Sequence, residues 1–68
     1  MKPKIRKIGK RVRELREQRG LTKEQLAFEN DLSKPTIIRI ERDEFDPKLS
    51  TLIKLANGLG VTLSDIVY

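Results

Sequence analysis

The sequence predicts an all-α fold, a compact five-helix bundle. Apolar residues recur at helical spacing through most of the chain, and residues typical of helix caps stand at the ends of these stretches. No segment shows the alternating pattern of a convincing strand. The 68 residues are 37% hydrophobic and 37% charged, which is enough apolar material for one small core. We therefore expect residues 1–68 to form a single domain.

The first two helices are predicted from their stripes and caps. Helix 1 is expected over residues 5–19, with Gly20 as the residue that ends it. Helix 2 is expected over residues 23–30, because Thr22 can cap it and Gln25 completes a capping-box pattern. The apolar stripe of helix 1 consists of Ile5, Ile8, Val12 and Leu15.

Helix 3 is predicted over residues 34–42. Ser33 can cap it, and Pro35 falls in its first turn, where a missing N–H is harmless. Only residues 31–33 separate it from helix 2. Two short helices joined by such a tight turn indicate a helix-turn-helix formed by helices 2 and 3.

The C-terminal part of the chain predicts two more helices. Helix 4 should begin after Ser50 and end near Leu59, and helix 5 should follow Thr62 as its cap. The tail contains more apolar residues than one helical turn needs for its own core, so we expect some of them to form a homodimer interface. Ordinary core packing is the alternative. The dimer candidates are Ile53, Leu63, Ile66, Val67 and Tyr68.

The composition narrows the possible functions. The net charge is +5, and residues 1–20 alone hold nine basic residues against two acidic ones, which favours nucleic acid or an acidic membrane surface as partner. The chain has no cysteine and no histidine, so it lacks thiolate ligands and the commonest general base. We expect no enzyme activity, no metal and no cofactor. Without a membrane span or signal peptide in the sequence, a cytoplasmic location is expected.

The two sides of helix 3 differ in character. Ser33, Ile37, Ile40 and Glu41 fall on one side, and Pro35, Ile38, Arg39 and Arg42 on the other. Arginine can bond bidentately to guanine, and an aliphatic side chain can contact a thymine methyl group. The second side therefore suits a DNA major groove. A solvated helix with one stray apolar residue is the alternative.

Two charged residues point toward the predicted core. Glu41 lies four residues after Ile37, and Arg16 lies four residues after Val12. Because buried charges need partners, we expect Arg16 and Glu41 to form an ion pair that joins helix 1 to helix 3.

Three segments carry a family resemblance: IGKRVRELREQRGLTKEQLA, LSKPTIIRIER and LSTLIKLANGLGVTLSDIV. Together they resemble the phage-repressor-type helix-turn-helix family, often called the XRE family, over nearly the whole chain. The resemblance implies a double-stranded-DNA-binding transcriptional regulator, in particular a repressor that acts as a homodimer on a palindromic operator. It also implies that Lys34, Pro35 and Arg39 read bases, and that Thr22, Lys23 and Arg42 contact the DNA.

The sequence departs from the family pattern at several positions. Lys23 stands where the family favours Gln, and Asp31 and Asp43 stand at common Gly positions. Because the loop of residues 43–46 is acidic, Lys48 and the start of helix 4 remain as the candidate phosphate contacts in this region. Lys10 on helix 1 is a further candidate. Since Pro35 cannot donate a side-chain hydrogen bond, base reading should rest on Lys34, Ile38 and Arg39.

Two other functions fit the same sequence less well. The chain could be a protein-interaction module, such as an antitoxin-like partner-binding protein, because a fold does not determine a function. The basic, amphipathic helix 1 could also lie on a membrane surface, although its stripe is better used as core. No small-molecule ligand is expected.

Overall fold

The computed structural model describes residues 7–68, which form five helices. The helices are α1 (Ile8–Gln18), α2 (Lys23–Glu29), α3 (Lys34–Glu41), α4 (Leu49–Leu59) and α5 (Leu63–Val67). No strand occurs within residues 7–68, so the predicted all-α class is confirmed. Ile5, which the sequence assigned to the stripe of helix 1, lies outside the described residues.

The core receives side chains from every helix. α1, α2 and α3 each contribute two buried hydrophobic residues, α4 contributes four, and α5 contributes one. The buried hydrophobic residues are Val12, Leu15, Leu26, Ala27, Ile37, Ile40, Leu52, Leu55, Ala56, Leu59 and Ile66. Since this core includes the inner faces of both α2 and α3, the helix-turn-helix is held by the whole bundle.

The turn between α2 and α3 uses Asp31 in the left-handed region, at φ 59°. Aspartate tolerates this conformation better than most residues with a side chain, so the turn forms without a glycine here. The N–H of Leu32 then donates to the carbonyl of Ala27 at 2.9 Å.

α1 begins against the loop that follows α3. The N–H of Gly9 donates to Oδ1 of Asp43 at 2.9 Å, and Asp43 itself is held at φ 55°. A Cβ atom on Gly9 would lie 2.1 Å from the carbonyl oxygen of Ile40, so glycine is required by the close approach of α1 and α3. Part of the acidic loop therefore has a structural role.

α4 packs closely against the end of α2. A Cβ atom on Gly58 would lie 2.1 Å from Nδ2 of Asn30, and the same amide donates to the carbonyl of Leu26 at 2.7 Å. A larger residue at position 58 would displace this amide. Gly58 is thus explained by tertiary packing, despite its cost in helix propensity.

The predicted start of helix 4 was wrong. α4 begins at Leu49, because the N–H of Leu52 already donates to the carbonyl of Lys48 at 3.0 Å. Lys48 occupies the N-cap position without a side-chain cap, and Ser50, after which the helix was expected to begin, lies inside the first turn.

The prediction that Ile66 belongs to a dimer interface was also wrong. Ile66 is completely buried in the core of its own chain, because α5 packs against α1 and α4. Leu63 and Val67 are half-buried against that core, whereas Tyr68 is exposed. Most of the apolar surplus of the tail is therefore used within the subunit.

None of the helices within residues 7–68 is both long and apolar enough to cross a bilayer.

Candidate nucleic-acid interface

The outer side of α3 is open, and its inner side is fixed in the core. Ile37 and Ile40 are 0% and 1% exposed, whereas Arg39 and Arg42 are exposed. This is the division that the helical spacing predicts. Two guanidinium groups thus project from a helix that the bundle holds in place.

Lys34, Pro35 and Ile38 lie on the accessible part of α3 to different extents. Lys34 and Pro35, in the first turn, are exposed. Ile38, which was predicted on the outer side, is half-buried and therefore less exposed than expected. A step of about 100° from the buried Ile37 places it at the flank of the inner side. It still borders the exposed arginine Arg39.

The N-terminal turn of α3 is fixed by Ser33. Its hydroxyl accepts from the N–H of Thr36 at 3.3 Å and shares a 2.7 Å hydrogen bond with the hydroxyl of Thr36. Pro35 in this turn lacks an N–H that would otherwise need a partner. The first turn of α3, which carries the side chain of Lys34, therefore has a defined geometry.

α2 begins with the predicted capping box. The N–H of Gln25 donates to the hydroxyl of Thr22 at 3.0 Å, and the N–H of Thr22 donates to Oε1 of Gln25 at 2.8 Å. Thr22 is exposed and Lys23 is half-buried beside it. The Thr22 hydroxyl retains its own proton as a donor, which can serve an external acceptor.

The predicted ion pair between Arg16 and Glu41 is present. Nε and Nη2 of Arg16 donate to the two carboxylate oxygens of Glu41, at 2.7 and 3.0 Å. Nη1 of Arg16 donates to the carbonyl of Leu21 at 2.8 Å, and the two side chains are only 10% and 4% exposed. The hydrogen bond to Glu41 raises the pKa of Arg16. This bidentate pair ties α1 to the C-terminal turn of α3.

A second ion pair, between Glu24 and Lys34, was missed by the sequence reasoning. Oε1 of Glu24 lies 2.5 Å from Nζ of Lys34, so the pair joins the first turn of α2 to the first turn of α3. The hydrogen bond from Lys34 lowers the pKa of Glu24. The two residues lie on different helices, so no rule for charge spacing along one helix could find them.

The remaining predicted phosphate contacts come from separate parts of the chain. Lys10 is exposed on α1, Lys48 is exposed at the start of α4, and Arg42 is exposed at the end of α3. The exposed acids Glu44 and Asp46 lie in the loop before Lys48. Within residues 7–68, no group of acidic side chains is arranged to hold a metal ion.

An apolar patch lies on α4, away from the core. Leu49 and Ile53 are one helical turn apart and are 61% and 46% exposed. Tyr68, which follows α5, is also exposed. Leu49 was not among the predicted interface residues, and the predicted helix 4 began after it.

Comparisons with known proteins agree with this geometry. A helix-turn-helix family model, HTH_3, matches residues 12–66. The chain is 43% identical over 60 residues to the immunity repressor protein of Bacillus phage phi105, a match that covers 88% of this chain and 42% of the repressor. The chain therefore corresponds to less than half the length of that relative.

Solved structures share the fold. The restriction-modification controller protein C.AhdI from Aeromonas hydrophila superposes with a TM-score of 0.85 and 35% identity, over 88% of this chain and 91% of that one. The controller protein C.Esp1396I, solved as a tetramer with its natural 35 base-pair operator, superposes with a TM-score of 0.78 and 28% identity, over 82% of this chain and 74% of that one.

The matched span, the turn between α2 and α3 and the open side of α3 identify the class of protein. The chain belongs to the phage-repressor-type (XRE) helix-turn-helix family.

Proposed function

We propose that this chain is a sequence-specific, double-stranded-DNA-binding transcriptional regulator that represses by occupying a palindromic operator. The observation that carries the proposal is the division of α3, with Arg39 and Arg42 exposed while Ile37 and Ile40 are buried. A rigidly held helix with exposed guanidinium groups fits the major groove, which is wide enough to admit an α-helix.

Base reading is assigned to the outer side of α3. Arg39 is the principal reader, since its guanidinium can bond bidentately to guanine O6 and N7. Lys34 can donate to the same type of acceptor, and Ile38 offers an aliphatic flank for a thymine methyl group. Pro35 contributes shape and apolar contact in the first turn.

Phosphate contacts position this helix without reading sequence. The proposed contacts stand on both sides of the base-reading residues in the sequence: Thr22 and Lys23 at the start of α2, and Arg42 at the end of α3. Lys10 and Lys48 extend the positive charge to α1 and α4. Their contribution is expected to depend strongly on salt, because binding to phosphate releases counterions.

A homodimer is proposed to read the two halves of the operator. One domain of this size makes a small DNA interface, so two copies are needed for useful specificity. Ile53, Tyr68 and Leu49 supply exposed apolar surface, and Leu63 and Val67 are half-buried against the core. The operator complex of C.Esp1396I contains a tetramer of that protein, which supports oligomeric binding in this family.

The proposal assigns no catalytic reaction to the chain and places it in the cytoplasm, where operator DNA is accessible. Repression would follow from occlusion of a promoter. Membership in a family with named repressors and regulators supports this assignment.

Selection of bound duplexes from a random pool, followed by footprinting, tests the proposal. We expect enrichment of an inverted repeat whose half-sites are about 34 Å apart on one face of the DNA. Recovery of no preferred sequence, together with stoichiometric capture of one protein partner, would instead favour a protein-interaction module.

A further inference from the structure

The Glu24–Lys34 pair places a carboxylate beside one of the side chains assigned to base reading. Glu24 is in the first turn of α2, next to Thr22 and Lys23, which are assigned to phosphate. An acidic side chain at this position opposes binding to a polyanion in general. Its presence therefore needs an explanation beyond affinity.

The Glu24–Lys34 pair is exposed, so its contribution to the free energy of folding is small. The side chains of Glu24 and Lys34 are 58% and 51% exposed, and ion pairs in such surroundings contribute little to folding. Lys34 is also flexible, with an ammonium group that can follow any nearby phosphate. The contact with Glu24 restrains that freedom at the surface of α3.

We propose that Glu24 is a positioning residue that keeps the ammonium group of Lys34 directed at a base instead of a phosphate, and so increases discrimination between operator and other DNA. The inference rests on the proposed function. An ammonium group has three donors, so one can remain with Glu24 while two serve acceptors on a base edge. A phosphate that draws Lys34 away must break the pair and approach a carboxylate.

The test compares Glu24→Gln with Glu29→Gln. Both variants remove one negative charge from α2, but Glu29 is exposed and forms no ion pair with another residue of the 7–68 range. Affinity is measured for a duplex enriched by selection and for a scrambled duplex of the same length and composition, at several salt concentrations.

Glu24→Gln should reduce the ratio of the two affinities by about two- to fivefold, the range expected for an exposed charge pair. It should also steepen the salt dependence of scrambled-duplex binding by about one phosphate contact, since Lys34 becomes free to bind one. Glu29→Gln should strengthen binding to both duplexes alike and leave their ratio unchanged. An unchanged ratio in Glu24→Gln, or an equal change in both variants, would overturn the inference.

A Lys34→Ala background identifies the route of the effect. There, Glu24→Gln should no longer alter the ratio. A persisting effect would show that Glu24 acts on DNA directly, and would overturn the positioning role.

The pair can also be tested without DNA. The pKa of Glu24, followed by NMR, should lie below its ordinary value in the wild type and rise in Lys34→Ala. If the pKa of Glu24 does not change in Lys34→Ala, the inference is overturned while the proposed function stands. If the pKa behaves as expected but the protein binds no duplex, the proposed function is overturned, and with it the role of the pair.

Discussion

At the scale of single residues, the buried pair of Arg16 and Glu41 fixes α3 against α1. Both carboxylate oxygens of Glu41 accept from Arg16, and Arg16 also donates to the carbonyl of Leu21. Replacing the pair as a whole could be nearly neutral, since desolvation offsets much of the attraction. Loss of one member is different, because it leaves an uncompensated charge in a buried site.

Glu41→Ala should therefore reduce the free energy of unfolding by about 3–5 kcal/mol, and Arg16→Ala should have an effect of similar size. Chemical denaturation followed by circular dichroism measures this. Glu29→Ala is the control, since Glu29 is exposed and should change stability little. Equal stability of the wild type and Glu41→Ala would contradict the structural importance of the pair.

At the scale of helices, the local signals were sufficient where a cap and its helix are adjacent in sequence. The capping boxes of α2 and α5 follow from hydrogen bonds between residues three apart, at Thr22 and Thr62. The start of α4 could not be predicted in this way, because Lys48 caps it without a side-chain hydrogen bond. A helix start without a side-chain cap has no characteristic residue in the sequence, so the sequence does not reveal it.

The parts of the site that depend on how helices meet were harder to predict. Arg16 and Glu41 could be paired because each pointed from an apolar stripe into the same core. Glu24 and Lys34 lie on the surface, where no such stripe constrains them. Ile66 was misassigned because an apolar pattern does not tell a core from an interface.

The cap of α5 should make stability depend on pH. The N–H of Thr62 donates to Asp65 at 3.0 Å, and this bond lowers the pKa of Asp65 below its unfolded value. The ionised form is therefore favoured by folding, and its stabilisation is present above the unfolded pKa of about 3.9 and is lost as the pH falls through the folded value.

Asp65→Asn, which resembles the protonated form, should accordingly be less stable than the wild type at pH 7 and approach it near pH 2. Urea unfolding of both proteins at the two pH values measures the difference. A gap that stays constant or widens on acidification would contradict this assignment. The same substitution should leave the carbonyl contact from Arg11 intact, since that contact uses the backbone of residue 65.

At the scale of the whole molecule, the proposed base-reading residues and the proposed dimer residues lie on different helices. Most of the proposed DNA contacts lie at the start of α2 and on α3, with Lys10 on α1 and Lys48 at the start of α4. The exposed apolar side chains of Leu49, Ile53 and Tyr68 lie on or after the last two helices, while Phe28 and Phe45 are exposed elsewhere. This arrangement allows two copies to associate through one surface while each presents α3 through another.

Ile53→Lys should shift the protein toward monomer and weaken binding to a two-half-site duplex, with little change in folding stability. Sedimentation velocity measures the association. Phe28→Lys is the matched control, because Phe28 is 87% exposed on α2 and lies outside the α4 patch. If Ile53→Lys remains as dimeric as the wild type, the interface lies elsewhere.

The role of α3 as the reading element is tested most directly by the affinities of Arg39→Ala and Lys23→Ala for a selected duplex and for its single-base variants at one salt concentration. Arg39→Ala should lose discrimination at the base pair it contacts, by about 1–3 kcal/mol, whereas Lys23→Ala should weaken binding to every duplex alike. Uniform loss of affinity in both variants would contradict the assignment of Arg39 as a reader of bases.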